Sequence, residues 1–437
     1  MEQDVTEIVV HLVLQLAVML VAAKLGGELC IRVFKAPPVL GELAAGILIG
    51  PFALGAVELG SFGALFPMPH EFAETGAGIP LSNELYAIAQ VASIVLLFAA
   101  GLETDLKLFL KYAGPATLVA VGGVVFPFAF GVGATVLMGF AGGWMDPEAL
   151  FMGAIMTATS VGITARVLSD IGRMDSPEGV TVVAAAVVDD VLGIIVLSVV
   201  VGIAASGGVS AGSVALIGGK AVGFWIAFTG LGILVSRPLS RLMGTFRVAG
   251  AELALALALA FLGAVLAESF GLAMIIGAYS AGLALSNTRL KRELEEPIMA
   301  VYHALVPVFF VAMGMLVNVS TMGSALAFGA VITALAIVGK VAGCGLPALA
   351  TGFNLRGAAR IGIGMLPRGE VALIVAGIGL TRGVIEQDLF GVSILMTVVT
   401  TLIAPVVLVP LFRGDGSGRR HEGREAERAA AKEGGQG

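Results

Sequence analysis

The sequence is short of charge. Only 13% of its 437 residues are Asp, Glu, Lys or Arg, against roughly 25% in soluble domains. Hydrophobic residues make up 58%, and there are 61 glycines. The 25 Lys and Arg with 31 Asp and Glu cannot cover a water-soluble fold of this length, so the chain belongs in lipid. It also lacks a basic excess. A net charge of −6 argues against a nucleic-acid partner. Cysteine is scarce as well: Cys30 and Cys344 sit in or beside apolar runs, which excludes a disulfide framework and any zinc-ligand spacing.

What is present is a series of apolar segments. A bilayer core takes about 20 apolar residues per helix, and thirteen candidate spans follow, near 8–33, 37–54, 84–102, 113–140, 149–168, 178–204, 212–236, 250–268, 271–287, 299–318, 323–350, 358–381 and 388–412. The first follows Glu2 and Asp4 with no basic n-region, so it reads as a retained helix and not a signal peptide. Lys and Arg collect in every second connection: Arg32 and Lys35, Lys107 and Lys111, Arg166 and Arg173, Arg237 to Arg247, Arg289 to Arg292, Arg356 and Arg360. The segments 51–83, 141–148, 205–211 and 319–322 hold none. The positive-inside rule makes the basic side cytoplasmic, with the N-terminus outside and the C-terminus inside. That requires an odd number of spans. The expected division is a membrane domain over 1–412 and a polar, Gly-rich, disordered cytoplasmic tail over 413–437.

Two spans are interrupted. The fifth carries the polar knot Met156 to Thr164, and the twelfth carries Gly362 to Glu370 with a Pro and three glycines. Such residues permit a local break whose freed backbone groups need new partners. The two spans lie seven apart, so they cross the membrane in opposite senses. Interrupted segments at matching positions of inverted halves point to a transport site near the midplane.

Ionisable residues then stand out against this background. Asp189 and Asp190 lie in the middle of the sixth span, where each costs about 2.5–3.5 kcal/mol to insert. Adjacent helical positions point about 100° apart, so the two face different partners. Lys340, deep in the eleventh span, is the favoured counter-cation over Lys220 in the seventh. Arg368 and Glu370 read as an ion pair bracing the broken twelfth span. His303 reads as structural, Glu42 as a cap or brace near a helix end, and Glu103 and Asp105 as acids at a cytoplasmic mouth. Burial disfavours the charged form of a carboxylate, so a proton or a hard monovalent cation can neutralise it. Thr157, Thr159, Ser160 and unwound carbonyls supply further oxygen ligands. Competition of the two ions for one site yields exchange, and two Asp with a Lys allow an electrogenic cycle. An intramembrane aspartyl protease needs its aspartates on separate helices, so an enzyme is not expected. A channel has no need of a titratable pair.

These residues resemble the bacterial monovalent cation:proton antiporters of the second cation:proton antiporter family, within the sodium/proton exchanger superfamily. The resemblance runs through APPVLGELAAGILIGP, ATSVGITARVL, the Asp189-Asp190 pair, VPVFFVAMGM, Lys340 and MLPRGEVALI. It implies an all-α polytopic fold of about 13 helices with inverted repeats and two crossed discontinuous helices. The core would be built around spans 149–204 and 323–412, and the remaining spans would form a dimerisation part. It further implies a homodimer in the bacterial inner membrane, Asp190 as main ion and proton carrier, and a breakable Asp189–Lys340 salt bridge. Thr157, Thr159 and Ser160 would line the site, with no cofactor beyond the transported ions. Relatives handling K⁺ often append a nucleotide-binding domain, for which 413–437 leaves no room, so Na⁺ is expected. K⁺/H⁺ efflux is the alternative, and sodium-coupled symport of an organic anion a more distant one.

Overall fold

The computed structural model describes residues 5–34, 37–58, 60, 63–69, 72, 79–206, 211–270, 272–318, 326–413 and 416–420. Among them there is no strand, only two isolated β-bridges. The helices are α1 (Val5–Leu29), α2 (Pro38–Ile49), α3 (Asn83–Glu103), α4 (Leu106–Leu137), α5 (Pro147–Thr157), α6 (Val161–Asp170), α7 (Pro177–Ser206), α8 (Ala211–Met243), α9 (Ala251–Ser269), α10 (Met274–Leu285), α11 (Leu290–Met315), α12 (Leu326–Ala350), α13 (Leu355–Gly364), α14 (Glu370–Thr381) and α15 (Gln387–Phe412). Each of the thirteen apolar segments coincides with a helix or a broken helical pair. Among the described residues, eleven helical segments are long and apolar enough to cross a membrane, and shorter apolar helices occupy Met274–Leu285 and Val371–Leu380.

Helix starts follow local chemistry. Pro38, Pro147 and Pro177 open α2, α5 and α7, where a missing N–H costs nothing. Asp105 caps α4 by accepting from the Lys107 and Leu108 amides at 2.7 and 3.0 Å. Asp105, expected from the sequence as an acid at a cytoplasmic mouth, thus also has a capping role. Asn354 caps α13 through the Gly357 amide at 2.9 Å.

The helices sort into two bodies. α4, the α5/α6 pair, α7, α12, the α13/α14 pair and α15 pack on one another as a core. α1, α2, α3, α8, α9, α10 and α11 form a scaffold around it. α4 is a departure from the sequence expectation, which left 113–140 outside the core. It packs most extensively against α12, α7 and α5. Small residues allow this: a Cβ on Gly122 of α4 would land on the Gly343 carbonyl of α12, and one on Gly343 would meet the Gly122 backbone. Backbones that close need glycine, the usual device where lipid supplies no hydrophobic drive.

The start of the tail also differs from expectation. The Asn354 side chain donates to the Ser417 carbonyl at 2.8 Å, and the Asn354 amide donates to the Gly418 carbonyl at 2.8 Å. The Arg419 guanidinium lies 5.0 Å from both the Tyr112 and Phe353 ring centroids. Residues 416–420 thus strap the ends of α12 and α13 to α4. Residues 421–437 lie outside the described residues.

Candidate functional site

Breaking a helix orphans up to four carbonyls at the end of its first half, and in a bilayer each needs a partner. The two breaks, at 158–160 and 365–369, supply partners to each other. The Ser160 amide donates to the Pro367 carbonyl at 2.7 Å. The Thr164 hydroxyl donates to the Gly364 carbonyl at 2.6 Å, and the Thr159 hydroxyl reaches the Met365 carbonyl at 3.5 Å. Thr401 of α15 donates to the Arg368 carbonyl. The polar knot and the Gly-Pro run therefore cross and touch.

Two buried cations complete the arrangement. Lys340 is fully buried, and its Nζ donates to the Thr157 carbonyl at 2.8 Å, the Gly123 carbonyl at 2.8 Å and Asp189 Oδ1 at 3.0 Å. Arg368, also fully buried, donates through Nη2 to the Met156 carbonyl at 2.7 Å and through Nη1 to the Leu366 carbonyl at 3.3 Å. Met156 and Thr157 end α5, and Leu366 follows α13, so both cations sit at negative ends of half-helix dipoles. The described partners of Arg368 are carbonyls. Its expected mate Glu370 opens α14, but the Glu370 side chain lies outside the described residues.

The two aspartates face different surroundings, 100° apart as helical geometry demands. Asp189 points into the core, paired with Lys340 and neighboured by Thr159. Asp190 is half-buried and faces the seam between the bodies. It lines a small cavity with Val161, Val183 and Val187 of the core and Leu97, Ile275, Ile276 and Tyr279 of the scaffold. Val161 is the first residue of α6, so Asp190 lies near a positive half-helix end, which favours its negative charge.

The remaining expected residues separate. The Thr157 hydroxyl donates back to the Ala154 carbonyl at 2.8 Å, so its contribution to the site is its main-chain carbonyl. The Ser160 hydroxyl stands beside Gly369, where an added Cβ would meet it at 2.8 Å. Lys220 is exposed on α8, and His303 is exposed on α11. Glu42 is no helix cap: it is buried opposite Arg166 of α6. Arg166 and Arg360, counted by sequence as loop charges, are both buried in ion pairs, Arg360 with Glu178 at 2.6 Å. The missed signal was pairing potential, since each has an acid in a neighbouring apolar segment.

An all-helical membrane bundle whose half-helices cross over a buried Asp–Lys pair defines a class: secondary ion transporters with broken-helix cores. The sequence matches the family described as "Sodium/hydrogen exchanger, transmembrane" over residues 16–414, and the chain belongs to that family. It is 36% identical over 399 residues to the Na(+)/H(+)-K(+) antiporter GerN of Bacillus cereus, covering 91% of this chain and 95% of the relative. It is 36% identical over 433 residues to the high-affinity Na(+)/H(+) antiporter NhaS3 of Synechocystis sp., covering 92% and 90%. The fold is similar to that of the sodium proton antiporter MjNhaP1 from Methanocaldococcus jannaschii, with TM-score 0.68, 18% identity, and 95% and 99% of the two chains covered.

Proposed function

We propose that the protein exchanges Na⁺ for protons by alternating access, with Asp190 as the carboxylate at which the two ions compete. The observation that carries this reading is the division of labour within the pair. Asp189 is engaged by Lys340 at 3.0 Å, whereas Asp190 faces the seam between core and scaffold. The seam is apolar: Leu97, Ile275 and Ile276 stand across from Asp190. Carrying an ionised carboxylate past such a surface costs a few kcal/mol on the scale of about 2.5–3.5 kcal/mol for a buried Asp. The core therefore moves when Asp190 is neutralised by either ion and stalls when it is bare. That condition alone converts a proton gradient into Na⁺ export.

Oxygens from the Ser160 and Thr159 hydroxyls, with unwound carbonyls, would complete the cation's shell. Asp189 and Lys340 would separate during the cycle, which allows a second proton and an electrogenic exchange. The basic connections support an N-terminus outside and a cytoplasmic C-terminus in the inner membrane. The protein works in this reading as a homodimer. The apolar faces of α1 and α8, with Val13, Leu25, Leu231 and Leu234 exposed, are available to lipid or a second copy. K⁺ is the second candidate cation, favoured by the name of the Bacillus relative. The small volume beside Asp190 supports an ion over an organic anion.

In proteoliposomes with an acid interior, added Na⁺ is expected to collapse the pH gradient, and Asp190→Asn to abolish the response. Wild-type exchange in Asp190→Asn would remove the assignment. A Na⁺ and K⁺ series in the same assay ranks the cations.

A further inference from the structure

A second set of buried charges lies apart from the aspartate pair, and it spans the two bodies. Arg166 belongs to α6 of the core, whereas Glu42 belongs to α2 and Tyr302 to α11 of the scaffold. The Arg166 guanidinium holds Asp170 of its own helix at 3.0 Å. Across the seam it faces Glu42 Oε1 at 3.7 Å and lies 5.0 Å from the Tyr302 ring centroid. Arg166 and Glu42 are 4% and 2% exposed, so solvent does little to screen the contact.

The contact is incomplete in a patterned way. The 3.7 Å separation exceeds hydrogen-bond range. Glu42 Oε2 and Arg166 Nη1 are buried with no hydrogen-bond partner in the protein. These are two of the seven such side-chain atoms among the described residues. A second buried ion pair, Arg360 with Glu178 at 2.6 Å, joins α13 to α7 within the core and is closed. A static brace closes its bonds, because a half-satisfied buried network is costly. Here each charge instead has a second partner on its own body. Arg166 keeps Asp170 wherever α6 goes. Glu42 has Lys24 of α1 within electrostatic reach, and Lys24 already donates to the neighbouring His303 carbonyl at 3.2 Å.

We propose that Glu42, Arg166 and Tyr302 form a reversible latch between core and scaffold, acting as positioning residues that hold the described conformation. On release Arg166 remains with Asp170 and Glu42 passes to Lys24, so neither charge is stranded. The inference rests on the alternating-access reading, because a latch has meaning only between bodies that move. A ligand or contact shifts two states only through its differential interaction with them, and an ionic contact made in one state alone has that property.

The test uses full-length protein in oriented proteoliposomes, with half-saturation for Na⁺ measured separately from each face. Glu42→Gln is expected to lower it on one face and raise it on the other, by about five-fold between faces, the small end of ordinary coupling. Tyr302→Leu, which removes a neutral ring, should shift both values in the same senses. Glu42→Gln added to Arg166→Gln should produce no further split, since a latch is pairwise. Equal changes on both faces, a fall in maximal rate alone, or additive effects would overturn the latch. So would loss of folded protein in both Glu42→Gln and Tyr302→Leu, which would mark the cluster as a fixed brace. Failure of wild-type exchange, or activity in Asp190→Asn, would count against the transport reading and not against the latch.

Discussion

Lys340 holds three acceptors at once: one carboxylate oxygen of Asp189 and the carbonyls of Gly123 and Thr157. Removing it strands a buried negative charge and two backbone groups. Breaking a buried pair from one side costs about 3–5 kcal/mol, whereas replacing both partners by neutral groups of similar volume is often close to neutral. Lys340→Ala is therefore expected to lower the detergent Tm markedly, and Asp189→Asn with Lys340→Met to recover much of the loss. A double variant less stable than Lys340→Ala would contradict this reading of the ion pair. At this scale the sequence was legible where a charge lay deep in an apolar run, as Asp189, Asp190 and Lys340 do. It was not legible where a charge lay near a segment end. Arg166 and Arg360 looked like loop cations and Glu42 like a cap or brace at a helix end, because burial there comes from tertiary neighbours: Tyr302 for Arg166, Phe412 for Arg360.

Among the elements, the two breaks build the site. Both were readable, since Thr-Ala-Thr-Ser and Gly-Met-Leu-Pro-Arg-Gly are hard to accommodate in an unbroken apolar helix. That they serve as each other's hydrogen-bond partners could not be read, because the pairing depends on which faces cross. Gly369 sits at this contact, and a Cβ there would stand 2.8 Å from Ser160 Oγ and 3.0 Å from its Cβ. Gly369→Ala should push the breaks apart and slow Na⁺/H⁺ exchange. Adding Ser160→Gly, which removes both clashing atoms while keeping the amide bond to Pro367, should restore part of the rate. No recovery in the pair, in a flux assay at matched protein amounts, would show that the clash is not the cause. The place of α4 in the core was equally hidden, since it rests on tertiary approaches such as that of Gly122 to Gly343.

For the molecule as a whole, the strap at 416–420 binds the ends of core elements and touches no scaffold helix through its described hydrogen bonds. It joins Asn354, Gly352 and Thr351 by backbone and side-chain bonds, and Arg360 reaches the Gly416 carbonyl at 3.1 Å. Deleting residues 414–437 is expected to lower the Tm while leaving half-saturation for Na⁺ within about two-fold, since local losses of this kind are usually worth about 0.5–3 kcal/mol. A changed half-saturation with an unchanged Tm would mean that the strap acts on the site and not on core stability. Composition alone hid the strap: Gly, Ser and Arg with few apolar residues read as disorder. Docking there comes from backbone carbonyls and from a guanidinium between two rings, which apolar patterning does not register. Native mass spectrometry from lipid nanodiscs should find two copies, and a single copy would remove the dimer.

The Arg420 amide donates to the Gly352 carbonyl at 3.1 Å, so the strap is moored to the core and not to the scaffold. Under the alternating-access reading, whatever molecule grips the strap becomes cargo that must be hauled at every turnover. Viscous drag on that cargo would slow the stroke without touching an ion ligand, as a weight hung on a lift slows the car and leaves the doors alone.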